Sequence, residues 1–180
     1  NGNWGILLLK TDDQGNEEWV KIFGPNGPEE DDKGFHSTIT SDGGYVVVGY
    51  IGNSKDVYLV KTDQYGNEEW SKSYGGNSDD IGYCVQQTND GGFIITGSTE
   101  SYGNGGEDVW LIKVDQDGNE EWNQTYGGVN RDFGRFVQET SDGGFIITGN
   151  TESFGNSSYG NPDIWLIKTD SEGNTKPYGD

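Results

Sequence analysis

Residues 80–128 read DIGYCVQQTNDGGFIITGSTESYGNGGEDVWLIKVDQDGNEEWNQTYGG. Four short segments rich in β-branched and aromatic residues, GYCVQQT, FIITGST, VWLIKVD and EEWNQTY, are set apart by glycine-containing connections. The connections TNDGG and QDGN place glycine shortly after an aspartate. Glycine reaches positive φ without a Cβ clash, so each reads as a hairpin turn. The unit is a four-stranded antiparallel meander. Its middle strands are continuous apolar runs rather than alternations, which predicts that both faces of the sheet are covered.

The same unit recurs along the whole chain. Residues 132–174 read DFGRFVQETSDGGFIITGNTESFGNSSYGNPDIWLIKTDSEGN, and residues 32–76 read DKGFHSTITSDGGYVVVGYIGNSKDVYLVKTDQYGNEEWSKSYGG. Residues 4–24, WGILLLKTDDQGNEEWVKIFG, supply only the second half. The turn glycines Gly15, Gly66, Gly118 and Gly173 lie 51, 52 and 55 residues apart, a blade-like period far longer than a β-helix coil. Insertions at 100–107 and 152–162 mark the variable loop.

The expected fold is all-β: β-propeller-type repeats of four-stranded antiparallel blades, a little over three of them, in one repeat domain over 1–180. Residues 1–25 are a half blade, an outer hairpin; 32–76 and 80–128 are blades. Residues 132–180 are a blade lacking a full outer strand, because Pro177 replaces the tryptophan and proline cannot donate to a ladder. Two, four, four and three strands fall short of the roughly four to eight blades of a propeller. The open ends predict further blades of a longer chain, or self-association into a ring or filament. Opening on Asn1, without methionine or a basic signal region, reads as a processed or excised segment.

Composition narrows the partners. Asp plus Glu number 31 against 11 Lys plus Arg, a net charge of −20. Nucleic acid is excluded because a polyanion needs a basic face, and an anionic membrane surface is disfavoured for the same reason. No apolar run approaches the roughly 18 residues of a membrane span. Hydrophobic residues are only 29%, yet 13% are aromatic, 31 residues are glycine, and alanine and methionine are absent. Such a chain builds its core from a few rings and β-branched residues. Cys84 is the sole cysteine, so there is no intramolecular disulfide and no multi-thiolate zinc site.

Asp12, Asp63, Asp115 and Asp170 open four copies of Asp-x-x-Gly-Asn, and Trp19, Trp70 and Trp122 lie four residues after the glycine. The acids read as turn-fixing acceptors, and the rings as packing against the neighbouring blade with indole N–H groups available to bond. The competing reading is calcium at Asp115, Asp117 and Asn119, which alternate as D-x-D-x-N. The glycine spacing differs from an EF-hand, and Gln14, Tyr65 and Glu172 replace Asp117 in the other copies. Asp32, Asp80 and Asp132, with Asp42, Asp90 and Asp142, also recur once per unit, which argues for structural rather than catalytic roles. The acidic run Glu29–Asp32 reads as a solvated loop. The non-repeating chemistry is His36, Cys84, Arg131 and Arg135, from which no nucleophilic triad can be drawn. Two glycosylation sequons, at Asn123 and Asn156, are about the number that chance supplies.

The repeated DGGFIITG, DVWLIKVD and DxxGNEEW resemble blades of secreted bacterial and archaeal β-propeller repeat proteins, over nearly the whole chain. The Gly and Trp of DxxGNEEW also resemble the tryptophan-docking motif of quinoprotein propellers, although no cofactor-contacting residue can be matched. The resemblance implies an extracellular or cell-surface, non-catalytic scaffold or interaction module, without a resident cofactor. The alternatives are a lectin presenting Tyr102, Phe154 and Tyr159 to glycans, a glycoside hydrolase using two carboxylates in a central funnel, and a quinoprotein.

Overall fold

The computed structural model describes residues 5–24, 32–52, 55–155 and 161–176. Among them there is no helix, and 13 strands form four antiparallel sheets. The first sheet pairs β1 (Ile6–Thr11) with β2 (Glu17–Phe23). The second is the meander β3 (Lys33–Ile39), β4 (Tyr45–Ile51), β5 (Asp56–Thr62) and β6 (Glu68–Tyr74). The third repeats it as β7 (Asp80–Gln87), β8 (Phe93–Thr99), β9 (Asp108–Val114) and β10 (Glu120–Tyr126). The fourth holds β11 (Asp132–Glu139), β12 (Phe145–Thr151) and β13 (Asp163–Lys168). The expected grouping of two, four, four and three strands is the observed one. In place of a further strand after β13 there is one isolated bridge, Thr169 to Thr175, and Pro177 lies outside the described residues.

The continuous apolar runs have a simple cause: each inner sheet is sandwiched, so successive residues of a middle strand enter different cores. In β5, Val57 and Leu59 pack against the third sheet, while Tyr58 and Val60 pack against the first. In β9, Trp110 and Ile112 turn back to the second sheet, while Val109 and Leu111 meet Val137, Phe145 and Ile147 of the fourth. All these side chains are buried.

At the two ends the same registers are open to solvent. Leu7 and Leu9 of β1 occupy the positions of Tyr58 and Val60, yet are 59% and 50% exposed. Ile164 and Leu166 of β13 occupy the positions of Val109 and Leu111, yet are 89% and 63% exposed. The expectation that both faces are covered therefore holds for the inner sheets and fails at the outward faces of the first and last.

The first strands of the three later sheets each carry a bulge, after Gly34, Gly82 and Gly134, which leaves Phe35, Tyr83 and Arg135 out of register. The bulged residues line up across the sheets. Phe35 meets Tyr83 edge to face at 5.2 Å, and the Arg135 guanidinium sits 4.4 Å from the Tyr83 ring centroid.

Candidate functional site

The outer turns are closed local networks. Asp63 Oδ1 accepts the backbone N–H groups of Tyr65 at 2.8 Å and Asn67 at 2.9 Å, and its Oδ2 accepts the Asn67 amide at 2.8 Å. Asp12, Asp115 and Asp170 do the same. At Asp115 the Asn119 side chain, then its backbone N–H, holds the carboxyl below the ordinary carboxylate range. Both oxygens of the calcium candidate Asp115 thus already serve turn donors, including the Asn119 amide. Among the described residues, no three His, Cys, Asp or Glu side chains are grouped to hold a metal ion.

Each tryptophan lies beneath the turn of the following sheet. A Cβ on Gly66 would come 2.8 Å from the Trp19 ring, and one on Gly118 or Gly173 would come as close to Trp70 or Trp122. These glycines, with φ of 76°, 74° and 78°, are required twice over, by backbone conformation and by ring contact. Each ring also meets an aromatic of the next sheet, at 5.7 Å for Trp19–Tyr45 and 5.8 Å for Trp70–Phe93 and Trp122–Phe145. The three indoles are half-buried, so truncating one removes less than a fully buried ring would. Among the described residues the indole seen to donate is on a third strand: Trp110 Nε1 donates to Asn123 Oδ1 at 3.1 Å. The Asn123 amide donates to Glu120 at 2.7 Å, so this sequon asparagine is engaged within its sheet, while Asn156 lies outside the described residues.

Two lysines not singled out from sequence organise the opposite turn. Lys61 and Lys113 are 4% and 5% exposed, and each meets two carboxylates. Lys61 lies 2.8 Å from Asp42 and 2.7 Å from Glu69; Lys113 lies 2.9 Å from Asp90 and 2.8 Å from Glu121. The lysine of KTD and KVD recurring in step with DGG was the available signal. Asp42, Lys61, Glu69, Trp70, Gln87 and Asp117 line an open cleft of about 560 Å³ between the second and third sheets.

Burial raises the Asp90 carboxyl, but the Thr88 hydroxyl, the Lys113 ammonium and the Gly92 N–H outweigh it and bring the group down to about 2. A depressed folded-state pKa stabilises above the unfolded value and is lost as pH falls through the folded one. Asp90→Asn is therefore expected to melt below the wild-type chain near neutrality, and the gap should close between about pH 4 and pH 2. Thermal melts across that range measure it. A gap independent of pH would show that the Lys113 pairing contributes nothing.

The variable loops are anchored. Tyr102 packs on Trp110 at 5.3 Å and donates its hydroxyl to the Gly75 carbonyl at 2.9 Å; Phe154 packs on Trp165 at 5.1 Å. The two residues remain 45% and 46% exposed, whereas Tyr159 lies outside the described residues. Beside Phe154 and Trp165 a groove of about 420 Å³ follows β13, where the second and third sheets have a fourth strand. Below Tyr102, Asp80 is fully buried and accepts from Gly76 N–H at 2.8 Å, from Ser101 Oγ at 2.7 Å and from Thr99. The residues of non-repeating chemistry are scattered: His36 Nδ1 accepts the Val85 N–H at 3.4 Å, Cys84 is buried with its thiol raised by that burial, and Arg131 pairs with Glu107 at 2.8 Å. Compared with known proteins, the chain matches no family model and no curated sequence.

Proposed function

We propose that this chain is a non-catalytic extracellular module of β-propeller type, a scaffold that assembles by laying the open face of its fourth sheet on the open face of the first sheet of another copy. The supporting observation is the register of the two exposed faces. Ile164 and Leu166 stand where Val109 and Leu111 face a following sheet, and Leu7 and Leu9 stand where Tyr58 and Val60 face a preceding one. The two ends are the two halves of the interface that already recurs inside the chain. Val20 and Ile22, 43% and 50% exposed, widen the first face. Apolar area of this kind is what drives association.

A non-catalytic role is supported by where the perturbed acids lie. Burial raises the carboxyls of Asp56, Glu100 and Asp108, and none of the three lines the cleft beside Trp70 or the groove beside Trp165. A glycosidase needs such an acid facing its substrate.

Small-angle scattering with mass measurement tests the assembly. A lone 180-residue chain has a radius of gyration of about 16 Å. The expected result is a larger particle whose mass grows with concentration, reverting to one chain in Leu166→Asp. Monomers at every concentration would overturn the proposal.

A further inference from the structure

We infer that the seam between the third and fourth sheets, at Asp108 and Asp132, binds a hard divalent cation of the calcium class. Asp108 opens β9 and Asp132 opens β11, and the Asp132 N–H donates to the Glu107 carbonyl at 2.6 Å, which ties the two strand starts together. Between them passes Gly127. A Cβ there would fall on Oδ1 of Asp108 and 2.9 Å from Oδ2 of Asp132, so the two carboxyl groups approach each other beside Gly127, closer than any larger residue would allow.

Asp108 and Asp132 are 1% and 0% exposed. Asp108 Oδ2 accepts from the Asn104 N–H, and Asp132 Oδ2 accepts from Gly128 N–H at 2.9 Å and Ser153 Oγ at 2.6 Å. Oδ1 of each is buried and has no hydrogen-bond partner among the described residues. The neighbouring Arg131 is turned to Glu107 at 2.8 Å. Two buried carboxylates with two orphaned oxygens are costly unless a positive group joins them. Oxygen-only donors of irregular arrangement suit calcium better than magnesium, which demands a regular octahedron. A net charge of −20 raises the local concentration of any cation.

The arrangement repeats imperfectly. Asp56 and Asp80 flank Gly75 in the same way, with Oδ1 of Asp56 unpartnered, but Asp80 Oδ1 is occupied by the Thr99 hydroxyl. At the first seam Asp32 lies against Gly24, and Gly5 occupies the place in the repeat of Asp56 and Asp108, so no second carboxylate is supplied there. The seam at Asp108 therefore has the fullest set of donors.

Calcium and terbium titrations of the whole chain test the site, with Asp108→Asn, Asp132→Asn and the turn variant Asp115→Asn for comparison. The wild-type chain and Asp115→Asn should bind terbium with luminescence sensitised by Tyr126. Calcium at a hundredfold excess over its dissociation constant should raise their melting temperature by about 5–10 °C. Asp108→Asn and Asp132→Asn should fold without metal, lose the luminescence and gain nothing from calcium. The inference is overturned if calcium up to about 10 mM leaves the wild-type melting temperature unmoved, the affinity limit of extracellular calcium modules being near that range. It is equally overturned if Asp108→Asn and Asp132→Asn bind terbium as the wild type does. An unmoved wild type together with a stabilised Asp108→Asn would identify a carboxyl pair sharing a proton.

Discussion

Leu111→Ala is expected to lower the unfolding free energy by about 2–5 kcal/mol, while Leu166→Ala, at the same place in the repeat, changes it by no more than about 0.5 kcal/mol in dilute solution. Both leucines sit on the third strand of their unit and turn to the side of a following sheet. Leu111 is fully buried there among Val137, Phe145 and Ile147, so its truncation leaves a cavity that close-packed neighbours fill only in part. Leu166 is 63% exposed, and its truncation removes little that was out of water. Urea unfolding of both variants at low concentration measures the contrast. Equal costs would mean that something covers the last sheet even in the isolated chain.

Gly97→Ala is the second large expected loss. Gly97 pairs with Gly82 between β7 and β8, and a Cβ at Gly97 would drive into the Ile81 carbonyl carbon and oxygen and the Gly82 Cα, all of them backbone. No rotamer relieves such a clash; the first strand must move away from the second. Overpacking of this kind costs about 1–3 kcal/mol and more when backbone has to shift. Gly91→Ala is the fitting comparison, since its Cβ would meet nothing within 4 Å and the residue has a φ of 89°. It should lose only about 1–2 kcal/mol, the cost of a left-handed backbone for an L residue. Denaturant unfolding of the two variants separates crowding from strain, and a milder effect at Gly97 would show that the first strand is free to slide.

Much of this architecture was legible from residues 80–128 alone. The Asp-to-Gly spacing of TNDGG and QDGN specified both tight turns, and the unbroken FIIT and VWLI implied sheets covered on two sides. Strand number and grouping followed because the unit recurs with little drift. What stayed hidden depends on approach between units. Asp108 and Asp132 lie 24 positions apart and read as separate strand starts; only the stacking of one sheet on the next brings them to Gly127. Lys113 was hidden within its own unit, because its partners Asp90 and Glu121 come from the β7–β8 turn and from β10, elements separated in sequence and brought together only by the sheet. The bulge at Tyr83 was invisible because a single extra residue leaves the apolar pattern of β7 intact on either side of it. Ile164 shows the converse limit, since its sequence context matches that of buried Val109 and its exposure is set by what lies beyond β13.

The unlikeness of the two bare surfaces carries a consequence of its own. Leu7 and Leu9 belong to a backward-looking side and Ile164 and Leu166 to a forward-looking one, so no dyad axis can relate two copies that meet through them. Any open assembly so formed has polarity, with one leading and one trailing terminus. A copy disabled on its forward side alone still docks by its intact side and then offers nothing to the next arrival. It acts as a chain stopper, effective at a small fraction of the total protein.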